Sequence, residues 1–135
     1  MKLKGLFYGL FYEMLAGNYI ITTDAEQNRN LLSVKKVLDY ISAHYREPLS
    51  VKELSGLSNY SEFYFMKLFK QYTGKTAAAY LNDYRLEKAK SLLLHTDASV
   101  TDIALDVGFN NTSYFIKKFQ EANQISPHKF RKKMS

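Results

Sequence analysis

Apolar residues recur at helical spacing along nearly the whole chain, and short polar breaks divide them into blocks. Near the start, Leu3, Leu6, Phe7, Leu10, Phe11, Met14 and Leu15 fall on one face of a helix. Glu13 interrupts the apolar run, which favours an amphipathic helix in search of a partner surface over a secretion signal. Residues 18–30 lose the period and turn polar, so most of them read as a linker. From Leu31 the period returns: Val34, Val37, Leu38, Ile41 and Tyr45 share its stripe, and Pro48 ends it.

The rest is punctuated by helix caps. Ser50-Val-Lys-Glu53 has the form of a capping box, in which Ser50 caps an early N–H and Glu53 reaches back to the cap. The short helix it opens turns Val51, Leu54 and Leu57 inward. After Ser58-Asn59-Tyr60, Ser61 caps a helix with Tyr64, Phe65, Leu68, Phe69 and Tyr72 on its inner face, and Gly74 suits its C-terminus. Thr76 caps a longer helix to about His95, offering Tyr80, Leu81, Tyr84, Leu86, Ala89, Leu92 and Leu93 for burial. Ser99-Val-Thr-Asp102 opens a helix with Val100, Ile103, Ala104 and Val107, ended by Gly108. Asn111 caps another, holding Tyr114, Phe115, Phe119 and Ala122, and Ser126-Pro127 is a cap followed by Pro at the first helical position. No stretch alternates as a strand would, so the expectation is all-α.

These blocks form a repeat. Tyr64-Phe65 is echoed by Tyr114-Phe115, Lys67 by Lys117, Phe69 by Phe119 and Thr76 by Ser126, each pair fifty residues apart. Upstream, Ser50, Glu53 and Leu54 match Ser99, Asp102 and Ile103 at forty-nine, so the second turn is one residue longer. A short capped helix, a tight break and a longer helix with an aromatic inner and a basic outer face outline a helix-turn-helix, whose second helix enters the major groove of DNA. The predicted architecture is therefore two such subdomains, at about 50–74 and 99–124, joined by a central helix at 76–95 within a domain of 31–135. An amphipathic helix and linker at 1–30 precede it as a possible end of an upstream sensor or dimerisation domain. A helix over 76–95 spans about 30 Å, close to the roughly 34 Å of one turn of B-DNA.

The 135 residues, 46% hydrophobic and 15% aromatic, are enough for a real core. The formal charge of +6 admits an anionic partner. With no cysteine there is no disulfide, thiolate metal site or thiol nucleophile, and a reducing, cytoplasmic setting fits. His44, His95 and His128 are scattered, no glycine-rich phosphate loop follows a strand, and no segment is apolar enough to cross a bilayer. Catalysis, metals, cofactors and membranes are thus not expected. A helical protein-interaction or dimerisation module without DNA readout is the alternative.

The chain also resembles the C-terminal DNA-binding domain of the AraC/XylS family of bacterial transcription regulators over about residues 32–133. Leu54-Ser55, Leu68-Phe69-Lys70, Thr73-Gly74-Lys75-Thr76, Tyr80-Leu81, Arg85-Leu86, Ile103-Ala104, Val107-Gly108-Phe109, Ser113-Tyr114-Phe115 and Ser126-Pro127 carry the likeness. It implies seven helices, of which the third and sixth read double-stranded DNA, and a role as activator or repressor. It also implies RNA polymerase or a second copy as a partner through an upstream domain, and any small-molecule effector bound outside this chain. The base-reading candidates are Glu62, Phe63, Met66 and Lys67 in the first unit and Thr112, Ser113, Ile116 and Lys117 in the second. Lysine can donate to guanine and apolar groups can meet thymine methyls, while Glu62 either accepts from cytosine or favours its helix N-terminus. Ser50, Ser61, Lys70, Asn111, Gln120, Lys129 and Lys132 are the phosphate candidates. Arg85 is expected to tie the connecting helix in place. Gln124 departs from the pattern, standing where the first repeat has Gly74, and a rearranged corner is expected there.

Overall fold

The computed structural model describes residues 23–134, whose elements are all helices. In chain order they are α1 (Asp24–His44), α2 (Val51–Ser58), α3 (Glu62–Thr73), α4 (Ala77–His95), α5 (Val100–Asp106), α6 (Thr112–Asn123) and α7 (Pro127–Met134). The all-α expectation holds among the described residues, and the stripe at 3–15 lies outside them. α1 starts about two turns before Leu31, so residues 24–30 are helix and not linker. Thr23 Oγ1 accepts the Glu26 N–H at 3.2 Å, and Asp24 and Glu26 place negative charge at the positive end of the helix. Polarity hid these turns because their buried residue is an asparagine. Asn30 Oδ1 accepts from the Tyr60 hydroxyl at 2.6 Å, and its Nδ2 donates to the Tyr64 hydroxyl at 3.4 Å.

The chain forms two compact units. The first comprises the described residues through Ala43 together with Leu49–Tyr80; the second comprises His44–Pro48 and the residues from Leu81. The buried apolar side chains of the first are Val34, Val37 and Ile41 of α1, Leu54 of α2, Phe65, Leu68 and Phe69 of α3, and Ala77 at the start of α4. Phe65 and Phe69 lie 5.6 Å apart between ring centroids, and Tyr80 meets Phe69 edge-on at 5.7 Å. Leu31, assigned to the stripe, is instead exposed.

The second unit repeats this arrangement. Its core gathers Leu86, Ala89 and Leu93 of α4 with Val100, Ile103 and Ala104 of α5, then Val107, Phe109, Phe115, Phe119 and Phe130. Phe115 and Phe119 stand 5.8 Å apart, and Phe130 meets Phe119 edge-on at 5.5 Å. Ala122, expected on the inner face of α6, is exposed. The turn before α6 follows the forty-nine-residue register up to Gly108, the counterpart of Asn59. Both are left-handed, at φ 107° and 63°, and the N–H of each bonds a carbonyl three residues back. The additional residue then lets Phe109 fold under Phe115, at 5.2 Å.

Gly108 is needed for a second reason. A Cβ on it would lie 2.6 Å from the Tyr45 carbonyl oxygen and 2.7 Å from Arg85 Nε. Arg85 is buried, donates from Nε to the Tyr45 carbonyl at 2.7 Å and from Nη2 to the Glu47 carbonyl at 2.8 Å, and lies over the Phe109 ring. These carbonyls lie in the turn that follows α1, outside its hydrogen-bonded ladder, so they are open to a donor. Burial lowers the Arg85 pKa from its ordinary value, and the guanidinium stays charged. Arg131 acts alike at the end of α4, donating to the carbonyls of Leu93 at 3.1 Å and Thr96 at 3.2 Å.

The corner at Gln124 keeps the geometry of Gly74 instead of rearranging. Gln124 adopts φ 60°, its N–H bonds the Gln120 carbonyl at 2.8 Å, and its side-chain amide donates to the Glu121 carbonyl at 3.2 Å. The αL penalty on a residue with a Cβ is thus accepted in exchange for a capped helix end. Gln124→Gly is expected to stabilise the protein by about 0.5–1 kcal/mol, read as a raised urea midpoint with unchanged slope. Gly108→Ala is expected to destabilise it by more than about 2 kcal/mol. A midpoint that does not move would show that Arg85 and Tyr45 yield to the methyl group.

Candidate nucleic-acid interface

α3 and α6 are each aimed by a cap and by inner aromatics. Ser61 Oγ accepts the Tyr64 N–H at 3.2 Å at the head of α3, and Asn111 Oδ1 accepts the Tyr114 N–H at 2.9 Å at the head of α6. At the far ends, Thr73 Oγ1 donates to the Phe69 carbonyl at 2.7 Å and Asn123 Nδ2 to the Phe119 carbonyl at 3.0 Å. With the Phe pair turned inward, the 3.6-residue period puts the residues between them outward. On α3 that exposed face carries Glu62, Phe63, Met66, Lys67 and Lys70; Phe63 is 78% and Met66 46% exposed. On α6 it carries Ser113, Lys117 and Gln120, all exposed, with Thr112 half-buried at its head.

Two expected placements change. Ile116 is partly buried and packs against the second core, so its side chain is a flank of that core more than part of the outer face. Tyr114, assigned to the core, is 44% exposed. Phe109, delivered by the longer turn, occupies the interior, and the Tyr114 ring rests against it at 6.1 Å with its outer side in water. The Tyr114 hydroxyl accepts from Asn82 Nδ2 at 3.3 Å, and the Lys118 ammonium sits over its ring. Tyr64 differs because Asn30 and the Tyr60 ring cover it. The step from the forty-nine to the fifty register was the sequence signal for this exposure, and the periodicity of α6 alone hid it.

The caps differ in what they retain for an anion. Ser61 and Asn111 use an oxygen as acceptor for their helices, which leaves the hydroxyl proton of one and the amide N–H groups of the other as donor chemistry. Ser50 also accepts the Glu53 N–H, at 3.1 Å, but its hydroxyl donates to the Glu53 carboxylate at 3.3 Å. That contact replaces the reach to the backbone expected of a capping box, and it makes Ser50 the weakest phosphate candidate of the three. Lys70, Gln120, Lys129 and Lys132 are all exposed. Lys118 is engaged along its own helix, 3.5 Å from Glu121. Among the described residues no group of three His, Cys, Asp or Glu could hold a metal ion, and no helix is long and apolar enough to cross a membrane.

A family model described as a helix-turn-helix domain matches residues 54–133. The regulatory protein PocR of Salmonella typhimurium is 38% identical over 102 residues, covering 76% of this chain and 34% of PocR. The chain thus spans about a third of that relative. Among solved structures, an AraC-type transcriptional regulator from Chromobacterium violaceum is similar with a TM-score of 0.72 and 27% identity, covering 78% of this chain and 94% of that one. The DNA-binding domain of AdpA, solved with a target DNA, is similar with a TM-score of 0.72 and 25% identity, covering 75% and 91%.

Proposed function

The chain belongs to the AraC-type helix-turn-helix family, one of DNA-binding regulators and not of enzymes, and on that premise we propose how it reads an operator. α3 and α6 each enter a major groove of double-stranded DNA. Glu62, Phe63, Met66 and Lys67 of the first, and Thr112, Ser113 and Lys117 of the second, face base edges, with Ile116 buttressing its helix from the side. Ser61, Lys70, Asn111, Gln120, Lys129 and Lys132 hold phosphates and set register, and the exposed Tyr114 hydroxyl joins them. Ser50 contributes less, because its proton is committed to Glu53.

The observation that carries this reading is the recurrence of one outward lysine, Lys67 and Lys117, at the same place on two capped helices with separate aromatic cores. A single exposed lysine is an ordinary solvated face. Its repetition in two separately packed units, in a chain similar to the DNA-binding domain of AdpA, is not explained by packing. The chain then acts where genomic DNA lies, in the cytoplasm. The sensor, and the contacts with RNA polymerase or a second copy, belong in this account to further sequence of the kind that makes up the two thirds of PocR this chain does not match.

Selection of duplexes from a random pool at a stated salt concentration tests the proposal, and two short half-sites in each recovered sequence are expected. Lys67→Ala and Lys117→Ala should each weaken specific binding by about 1–3 kcal/mol and relax a different half-site. Full discrimination by both variants, measured against operators mutated at each position, would remove these helices from base readout.

A further inference from the structure

In the fifty-residue register the positions of α3 and α6 correspond one to one; Lys67 and Lys117 agree, Glu62 and Lys70 are answered by the uncharged Thr112 and Gln120, and the apolar positions also diverge. Phe63 is answered by Ser113, and Met66, 46% exposed, by Ile116, which is partly buried against the second core. The first unit therefore holds two adjacent apolar side chains in water, one helical turn apart. The burial of Phe65 and Phe69 keeps them there, and Lys67 and Lys70 flank them.

With two lysines against the single acid Glu62, a ligand for this face has to combine negative charge with apolar surface for Phe63 and Met66. DNA supplies both in the major groove, where the 5-methyl group of thymine is the apolar feature among polar base edges. We infer that Phe63 and Met66 read thymine 5-methyl groups. The half-site met by α3 is then defined by methyls together with Lys67, and the half-site met by α6 by hydrogen bonds from Ser113 and Lys117. This deepens the operator-reading account and rests on it. In an unmodified synthetic duplex, thymine is the sole source of that methyl, which separates it from 5-methylcytosine.

The test uses the full chain and a duplex recovered from the unmodified pool, with thymines replaced by deoxyuridine in one half-site at a time. Deoxyuridine removes the methyl and leaves every hydrogen-bonding group in place. Fluorescence anisotropy at one salt concentration should show binding about fourfold weaker for each contacted methyl, the value of burying one such group. The loss should be confined to one half-site. A Phe63→Ser, Met66→Ala double variant should lose this sensitivity while still responding to base changes in the other half-site. Because both side chains are exposed, its melting temperature should match that of the parent chain, and the deoxyuridine comparison on the parent needs no variant at all. Equal affinity for thymine and deoxyuridine duplexes overturns the inference, as does equal loss in both half-sites or sensitivity that survives in the double variant. A flat response together with specific binding leaves the operator-reading account standing and assigns Phe63 and Met66 to another surface. Failure to distinguish the recovered duplex from random competitor overturns both.

Discussion

Two phenylalanines four residues apart on each of α3 and α6 must leave water together, and this one requirement orients everything outward of them. Phe65 with Phe69, and Phe115 with Phe119, sit at nearly the same separation, and in each unit an aromatic from the following helix closes edge-on against the second ring. An α-helix has one rotational degree of freedom about its axis, and burying a pair at i and i+4 removes it. Lys67 and Lys117 are exposed because of where the rings go, and no feature of the lysines themselves is required.

Around that shared device the two units are stabilised differently. The first ties its reading helix to α1 through polar contacts, with Asn30 between the Tyr60 and Tyr64 hydroxyls. The second substitutes apolar packing by inserting Phe109 beneath Phe115. The α2 residues Ser55 and Ser58, buried and bonded to their own helix, correspond to the apolar Ala104 and Val107 of the second unit. One unit thus meets burial with satisfied hydrogen bonds and the other with volume, and both routes leave the corresponding lysine, Lys67 or Lys117, exposed.

Arginine has a parallel use at helix ends. Arg85 and Arg131 each donate twice to carbonyl oxygens beyond or at the last turn of an earlier helix, where the backbone has acceptors to spare. A planar fork can satisfy two such oxygens at once, which an ammonium cannot do with the same geometry. Gly108 is the counterpart of this arrangement, since the space a side chain would need is filled by Arg85 and the Tyr45 carbonyl.

Caps, turns and the duplicated aromatic–basic pattern were legible along the chain because they are local: Ser61, Thr76, Ser99, Asn111 and Ser126 each bond an N–H three residues on, within reach of any helix that starts there. The helical class, the repeat and the outward lysines followed from that local grammar. What the chain could not disclose by itself depended on neighbours distant in sequence. Residues 24–30 looked like linker until Tyr60 and Tyr64 supplied partners for Asn30, and Tyr114 looked like core until Phe109 occupied the interior. Ile116 looked wholly outward until the second core took its flank, and Gln124 kept a left-handed corner that its side chain alone disfavours. Periodicity determines which side of a helix is apolar. How far each residue on the margin of that side is covered is decided only by what the folded chain packs against it.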